Sequence, residues 1–158
     1  MKRWLGVAVM LFTLPATAGD FQAFGRESRL AIEQAHAGKP FILAFWSVDC
    51  AYCPDEVRQL TALVRKRPDI GLVLVSTDSL EMQSQAAEKL AGFKIPPNTE
   101  RWIFAGEDPD RLYFAVDRKW HGELPRSYFY DGAGRVQGVS GKVDPVWLDN
   151  WARGSSGK

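Results

Sequence analysis

Apolar residues recur along this chain in two patterns that predict an alternation of strands and helices. The segment 41–48 is apolar almost throughout, which is typical of a strand that is covered on both faces. Directly after it, Val57, Leu60 and Val64 recur at the spacing of one helix face. The first half of the chain therefore predicts a buried strand followed by an amphipathic helix.

The same two patterns extend over the rest of the chain. They predict strands at residues 41–48, 70–76, 102–105, 127–131 and 135–140. They predict helices at residues 21–37, 54–67, 79–91 and 108–116, and a last helix that is capped by Asp144 and has Pro145 in its first position. Successive strand–helix units imply parallel strands with helices on both faces, and the turn at 131–134 predicts an antiparallel hairpin. We therefore expect an α/β fold with a central mixed β-sheet, flanked by helices.

The first residues form the pattern of a secretory signal peptide. Lys2 and Arg3 are followed by an apolar stretch at 4–14, which is shorter than the roughly 20 residues that a membrane-spanning helix needs. The small residues at 16–18 match a signal peptidase site, so we expect cleavage before Gly19. A segment kept as a membrane anchor is the alternative.

The remaining chain has the size of one domain. We expect a signal peptide at 1–18, one domain at 19–153 and a flexible tail at 154–158. The formal charge of the whole chain is +1, and removing the two basic residues at its start changes it to −1. No basic stripe indicates nucleic-acid binding, and no dimerisation segment is evident, so we expect a monomer.

The two cysteines form the motif Cys50-Ala51-Tyr52-Cys53 between the first buried strand and its helix. A bridge over so short a loop adds little stability, which favours a redox-active rather than a structural disulfide. Cys50 is expected at the exposed N-terminus of the helix, where free amides and the helix dipole stabilise a thiolate, and is the candidate nucleophile. Cys53 is the candidate resolving thiol. His36 and His121 lie far from the pair in sequence, so we expect no zinc site and no cofactor.

Three segments give the chain a family resemblance. Residues 38–46 resemble the lead-in to the active site of exported thioredoxin-like proteins of the TlpA/ResA kind, and residues 50–53 fall where that family has its redox pair. Residues 122–136 resemble its cis-proline strand and following hairpin. The resemblance implies a thioredoxin-like fold with a small strand–helix insertion before the cis-proline strand. It also implies a cis peptide bond at Pro125.

The resemblance and the helix spacing together assign further candidate site residues. Glu56 is one helical turn after the second cysteine, where a carboxylate implies proton handling for that thiol; a first-turn acid that faces solvent is the alternative. Leu124, next to the proline, is expected to offer backbone groups to a partner strand. Trp46 and Tyr52 are expected to flank the disulfide and to contact substrate, with a plain core residue as the alternative for Trp46. Arg126 is expected either to contact a polar partner group or to be solvated.

The resemblance also implies a function. We expect a periplasmic thiol–disulfide oxidoreductase that reduces protein clients and receives electrons from a membrane-bound thiol reductant. Apocytochrome c and copper-site assembly proteins are the expected kinds of client. Asp49 and Tyr52 stand where the family usually has tryptophan and proline, which leaves the direction of electron flow open. A thiol oxidase and a Cu(I) carrier that uses the same cysteines are the alternatives.

Overall fold

The structure is a computed structural model, and it describes residues 21–106 and 108–155. The strands are β1 (Gln22–Phe24), β2 (Phe41–Trp46), β3 (Gly71–Ser76), β4 (Glu100–Phe104), β5 (Arg126–Tyr130) and β6 (Val136–Ser140). The helices are α1 (Ser28–Ala35), α2 (Cys53–Lys66), α3 (Gln83–Ala91), which follows a 3-10 turn at Leu80–Met82, α4 (Pro109–Val116) and α5 (Pro145–Ser155). The predicted signal peptide lies outside the described residues. Within the described part of the chain, no helix is long and apolar enough to cross a membrane.

The strands form one six-stranded mixed sheet in the order β1-β4-β3-β2-β5-β6. The first four strands of that order run parallel, and β5 and β6 continue the sheet as antiparallel neighbours. This arrangement confirms the predicted mixed sheet flanked by helices.

Strand β2 lies near the middle of the sheet, and all of its residues are buried. Alternate side chains enter two separate hydrophobic clusters, because successive residues of a strand point to opposite faces. Ala44 and Trp46 pack in the cluster that holds the apolar residues of α2, α3 and α5. Leu43 and Phe45 pack in the cluster that holds those of α1 and α4. The unbroken apolar run is therefore explained by two covered faces.

The N-terminal helix predicted at residues 21–37 is wrong in its first part. Gln22–Phe24 forms β1, which pairs in parallel with β4, and the helix begins only at Ser28. Phe24 is buried and stacks on Phe104, its cross-strand neighbour, with 5.5 Å between ring centroids. This long-range packing outweighs the local helical pattern.

The prediction of a flexible tail from Gly154 onward is also wrong for Gly154 and Ser155. Helix α5 continues through Ser155, whose side chain is buried and whose backbone carbonyl accepts a hydrogen bond from Gly132 N–H at 3.0 Å. The end of α5 is thus held against the hairpin turn. Residues 156–158 lie outside the described residues.

The predicted insertion is present between β3 and β5. It contributes β4 to the interior of the sheet, between β1 and β3, and then α4 to one face. The loop at residues 117–125 follows α4 and ends at Pro125. This loop is called the proline loop, and it directly follows the insertion in sequence.

A candidate redox site at the N-terminus of the second helix

The two cysteines form a disulfide at the start of α2, with an S–S distance of 2.07 Å. Cys50 lies in the loop after β2 and is partly exposed, whereas Cys53 is the first residue of the helix and is 1% exposed. The backbone N–H of Cys53 donates a hydrogen bond to Cys50 Sγ at 3.1 Å. A donor aimed at this sulfur favours its thiolate form once the disulfide opens. The geometry supports Cys50 as the sulfur that exchanges with partners and Cys53 as the protected one.

Glu56 is buried, at 1% exposure, one helical turn after Cys53. Its Oε2 accepts a hydrogen bond from the N–H of Val143 at 3.1 Å, and its Oε1 accepts one from the Ser127 hydroxyl at 3.4 Å. The alternative that Glu56 faces solvent is therefore wrong. Its role in proton handling stays a prediction.

Burial raises the pKa of Glu56 above its ordinary value. The Val143 N–H, the Ser127 hydroxyl and the charge of Lys142 act against this rise without cancelling it. A carboxyl group with a raised pKa can hold or release a proton nearer to neutral pH than an exposed glutamate can. This property suits a group that exchanges protons with a neighbouring thiol.

Neither hydrogen-bond partner of Glu56 was identified from the sequence. Ser127 lies on β5 and Val143 lies in the loop before α5, so both reach Glu56 over long sequence separations. The one available signal is Ser127 itself, because it is a small polar residue in a strand of otherwise large side chains.

The proline loop carries the expected cis peptide bond, between Leu124 and Pro125. The carbonyl of Pro125 accepts a hydrogen bond from Gly141 N–H at 2.8 Å. Leu124 is partly buried and packs against the hydrophobic cluster that contains Cys53. Partner binding by Leu124 and Pro125 stays a prediction.

The inserted unit packs against the proline loop through Tyr113 of α4 and Trp120. The Trp120 indole N–H donates a hydrogen bond to the Glu123 carbonyl at 2.9 Å, and the Trp120 ring packs on that of Tyr113 in α4. Gly122 has a φ of 93°. A Cβ atom at this position would lie 2.9 Å from Tyr113 Cε2. Glycine is needed here for both backbone conformation and space.

We expect Gly122→Ala to lower the free energy of unfolding by about 1–2 kcal/mol through its backbone alone, because left-handed conformations cost an alanine that much. The contact with Tyr113 adds to this cost. Gly134→Ala is the matched control, because Gly134 also has a positive φ, of 80°, but nothing within 4 Å of its Cβ position. Urea unfolding of both variants measures the difference, and equal losses would contradict a steric role for Tyr113.

The two aromatic candidates beside the disulfide differ in exposure. Tyr52 is 66% exposed between the two cysteines, so it is available to a partner. Trp46 is 2% exposed in the hydrophobic core, so the expectation that it contacts substrate is corrected: it is a core residue. Trp46 belongs to the same hydrophobic cluster as Cys53, and Cys50 packs against that cluster, so Trp46 lies on the core side of the disulfide.

Arg126 follows the cis-proline but is neither solvated nor free for a partner. Its guanidinium is 14% exposed and donates to Asp117 Oδ2 at 3.0 Å and to Ser140 Oγ at 2.6 Å. Burial acts to raise the pKa of Asp117, but hydrogen bonds from Lys119 N–H, Tyr128 and Arg126 lower it overall. Arg126 thus ties the end of the inserted helix to the hairpin.

The described residues contain no group of three or more histidine, cysteine, aspartate or glutamate side chains that could hold a metal ion.

The sheet order, the cysteine pair at the start of a helix and the cis-proline loop together define a thioredoxin-like fold with a thiol–disulfide exchange site. The chain belongs to the AhpC/TSA family, whose sequence model matches residues 6–139. This result confirms the resemblance to thioredoxin-fold proteins. No curated protein matches the chain.

Solved structures of low sequence identity share the fold. A thiol-disulfide isomerase from Corynebacterium glutamicum superposes with a TM-score of 0.64 at 15% identity, covering 80% of this chain and 86% of its own. A thioredoxin family thiol:disulfide interchange protein from Chlorobium tepidum gives a TM-score of 0.61 at 15% identity, covering 78% and 83%. A secreted disulfide oxidoreductase of Mycobacterium tuberculosis, described as homologous to Escherichia coli DsbE, gives 0.56 at 17% identity, covering 77% and 85%.

Proposed function

We propose that this protein is an exported thiol–disulfide oxidoreductase that reduces disulfides in other exported proteins. The observation that carries the proposal is the unequal pair at the start of α2: a partly exposed Cys50 that accepts a backbone N–H, and a buried Cys53. Exchange of this kind needs one accessible thiolate that attacks the partner and one protected thiol that then attacks the resulting mixed disulfide.

In the reducing direction, the Cys50 thiolate attacks one sulfur of a client disulfide. The client S–S bond breaks, a mixed disulfide forms on Cys50, and the other client sulfur leaves as a thiolate that takes up a proton. Cys53 then loses its proton and attacks Cys50 Sγ. The bond between Cys50 and the client breaks, and the second client sulfur leaves as a thiolate that takes up a proton. The client disulfide has then been reduced by two electrons, and the Cys50–Cys53 pair has been oxidised to a disulfide. Glu56 is the proposed acceptor of the Cys53 proton.

Client binding would use the surface around Cys50. Tyr52 is exposed beside it, and the backbone next to Pro125 would pair with an extended client segment, with Leu124 at the edge of contact. The clients proposed are apocytochrome c or copper-site assembly proteins, and the electron donor is a membrane-bound dithiol. No cofactor is required, because the two sulfurs carry both electrons.

A periplasmic location and a monomeric state complete the proposal. The location rests on the signal-peptide pattern at the start of the sequence, with a retained membrane anchor as the alternative, and the Mycobacterium tuberculosis protein of the same fold is described as secreted.

The test is an equilibrium titration of the cysteine pair in glutathione and dithiothreitol buffers, with alkylation as readout, together with a turnover assay on insulin. A potential near that of thioredoxin, about −270 mV, with insulin reduction supports a reductase. A potential near about −120 mV would favour disulfide donation instead. Stoichiometric Cu(I) binding by a pair that reduces no disulfide would replace the enzyme by a copper carrier.

A further inference from the structure

Val48 lies in the loop between β2 and Cys50, and both of its backbone polar groups are held by charged side chains. Its N–H donates to Asp78 Oδ2 at 2.9 Å. Its carbonyl accepts from Lys89 Nζ at 3.1 Å. The backbone of Val48, two residues before Cys50, is therefore held by two opposite charges: the Asp78 carboxylate from the loop after β3 and the Lys89 ammonium from α3.

Asp78 is itself held in place. It lies just after β3, and its Oδ2 also accepts a hydrogen bond from the Ser76 hydroxyl at 2.5 Å. The backbone N–H of Asp78 donates back to Ser76 Oγ at 3.2 Å. Ser76 is buried and pairs in register with Trp46, the last residue of β2. The carboxylate therefore cannot rotate away from Val48 without breaking its hydrogen bond with the buried Ser76 hydroxyl, and that bond is itself partly shielded from solvent.

Lys89 approaches the same residue from α3. Its side chain is partly buried, so the ammonium is held against the loop instead of moving freely in water. Hydrogen bonds to charged groups are stronger than those between neutral groups, so each contact fixes the loop more firmly than a backbone pair would.

We propose that Asp78 and Lys89 are positioning residues for Cys50 and that their charges set its redox balance in opposite directions. This inference rests on the proposed function, since it concerns the same sulfur. Val48 is two residues from Cys50, which places the backbone atoms at most about 7 Å apart. The charged atoms of Asp78 and Lys89 lie 2.9 and 3.1 Å beyond the Val48 backbone, so each charge acts on a Cys50 thiolate over a distance on the order of 10 Å. Both side chains are partly buried, and salt screens partly buried charges less than exposed ones.

The electrostatic signs follow from the chemistry of the pair. Opening the disulfide creates a thiolate on Cys50, so an ammonium nearby stabilises the reduced form and a carboxylate nearby destabilises it. Removing Asp78's charge should therefore make the pair more oxidising. Removing Lys89's charge should make it more reducing.

The test uses Asp78→Asn, Lys89→Met and Lys89→Arg, each titrated against glutathione at pH 7. We expect about a threefold change in the equilibrium constant for each neutral variant, equivalent to about 14 mV, in opposite directions. Lys89→Arg keeps the charge and the donors, so it should retain the wild-type potential. If Asp78→Asn does not fold, the test is the comparison of the two Lys89 variants: Lys89→Met should be more reducing than the wild type, and Lys89→Arg should match it.

Matched controls come from the far end of α2. Lys66 lies thirteen residues after Cys53, or about 20 Å along the helix, and Asp149 lines the same surface cavity as Lys66. Lys66→Met and Asp149→Asn change the same charges and should leave the potential unchanged.

Shifts in the same direction for Asp78→Asn and Lys89→Met, or no shift in either, would overturn the inference, because loss of loop support alone has no reason to follow the sign of the charge. A wild-type pair that never cycles between dithiol and disulfide would instead overturn the proposed function.

Discussion

Cys50→Ser will lower the rate of insulin reduction by at least about a thousandfold, because catalysis is nearly abolished when the nucleophile is removed from residues that act as a unit. A serine hydroxyl does not attack a disulfide at neutral pH. The fold should be retained, because opening a bridge between residues three apart releases little chain entropy. Turnover with dithiothreitol as reductant measures the first effect, and thermal unfolding measures the second.

Cys53→Ser should behave differently from Cys50→Ser. Cys50 can still attack a client, but no resolving thiol is present, so the mixed disulfide accumulates. Non-reducing electrophoresis after incubation with an oxidised client should show this adduct for Cys53→Ser and none for Cys50→Ser. The opposite pattern would mean that the roles of the two cysteines are reversed, in conflict with their exposure and with the hydrogen bond to Cys50 Sγ.

The second large effect is expected at Glu56. Glu56→Ala should lower the free energy of unfolding by about 3 kcal/mol, since it leaves a cavity and a buried Val143 N–H without a partner. Glu56→Gln keeps the size and an acceptor for that N–H. Its effect on stability should follow the charge alone, so the size of the effect depends on pH.

Burial raises the folded-state pKa of Glu56 above its unfolded value. The folded protein then binds this proton more tightly than the unfolded chain does, so the free energy of unfolding falls as pH rises from the unfolded pKa through the folded one. Glu56→Gln has no such loss. It should be more stable than the wild type at neutral pH, and the gain should vanish below about pH 4, where both states of Glu56 are protonated.

Activity should move in the opposite direction to stability. If Glu56 accepts the proton of Cys53, Glu56→Gln should slow release of the client by about a hundredfold and flatten the pH profile of turnover. Asp149→Asn is the matched control, because Asp149 is an exposed carboxylate on α5. Unchanged turnover in a more stable Glu56→Gln protein would assign Glu56 a purely structural role.

The central part of this fold was predictable because its signals are local. The apolar run at β2 and the helical spacing after it depend on a few adjacent residues, and so does the position of the cysteine pair. The cis bond at Pro125 was expected only through the family resemblance, since no local property of the Leu-Pro step favours it.

Other features depend on contacts between distant segments. β1 has three residues and a helical apolar pattern, and it is a strand because β4 lies beside it. The partners of Glu56 come from β5 and the loop before α5, and the burial of Trp46 results from helices that cover β2. A single sequence does not contain these distances, which explains why Trp46 was expected to contact substrate and Ser127 was overlooked.

The support of the proline loop by the inserted unit has a consequence for how relatives of this protein diverge. Trp120 and Tyr113 hold the loop, and Arg126 ties the hairpin strand to the end of α4, whereas the cysteines are held by β2 and α2. The loop proposed to bind clients and the sulfurs proposed to exchange electrons are thus held by separate stretches of the chain. Mutations in the insertion are expected to move this loop while the support of the cysteine pair is inherited unaltered.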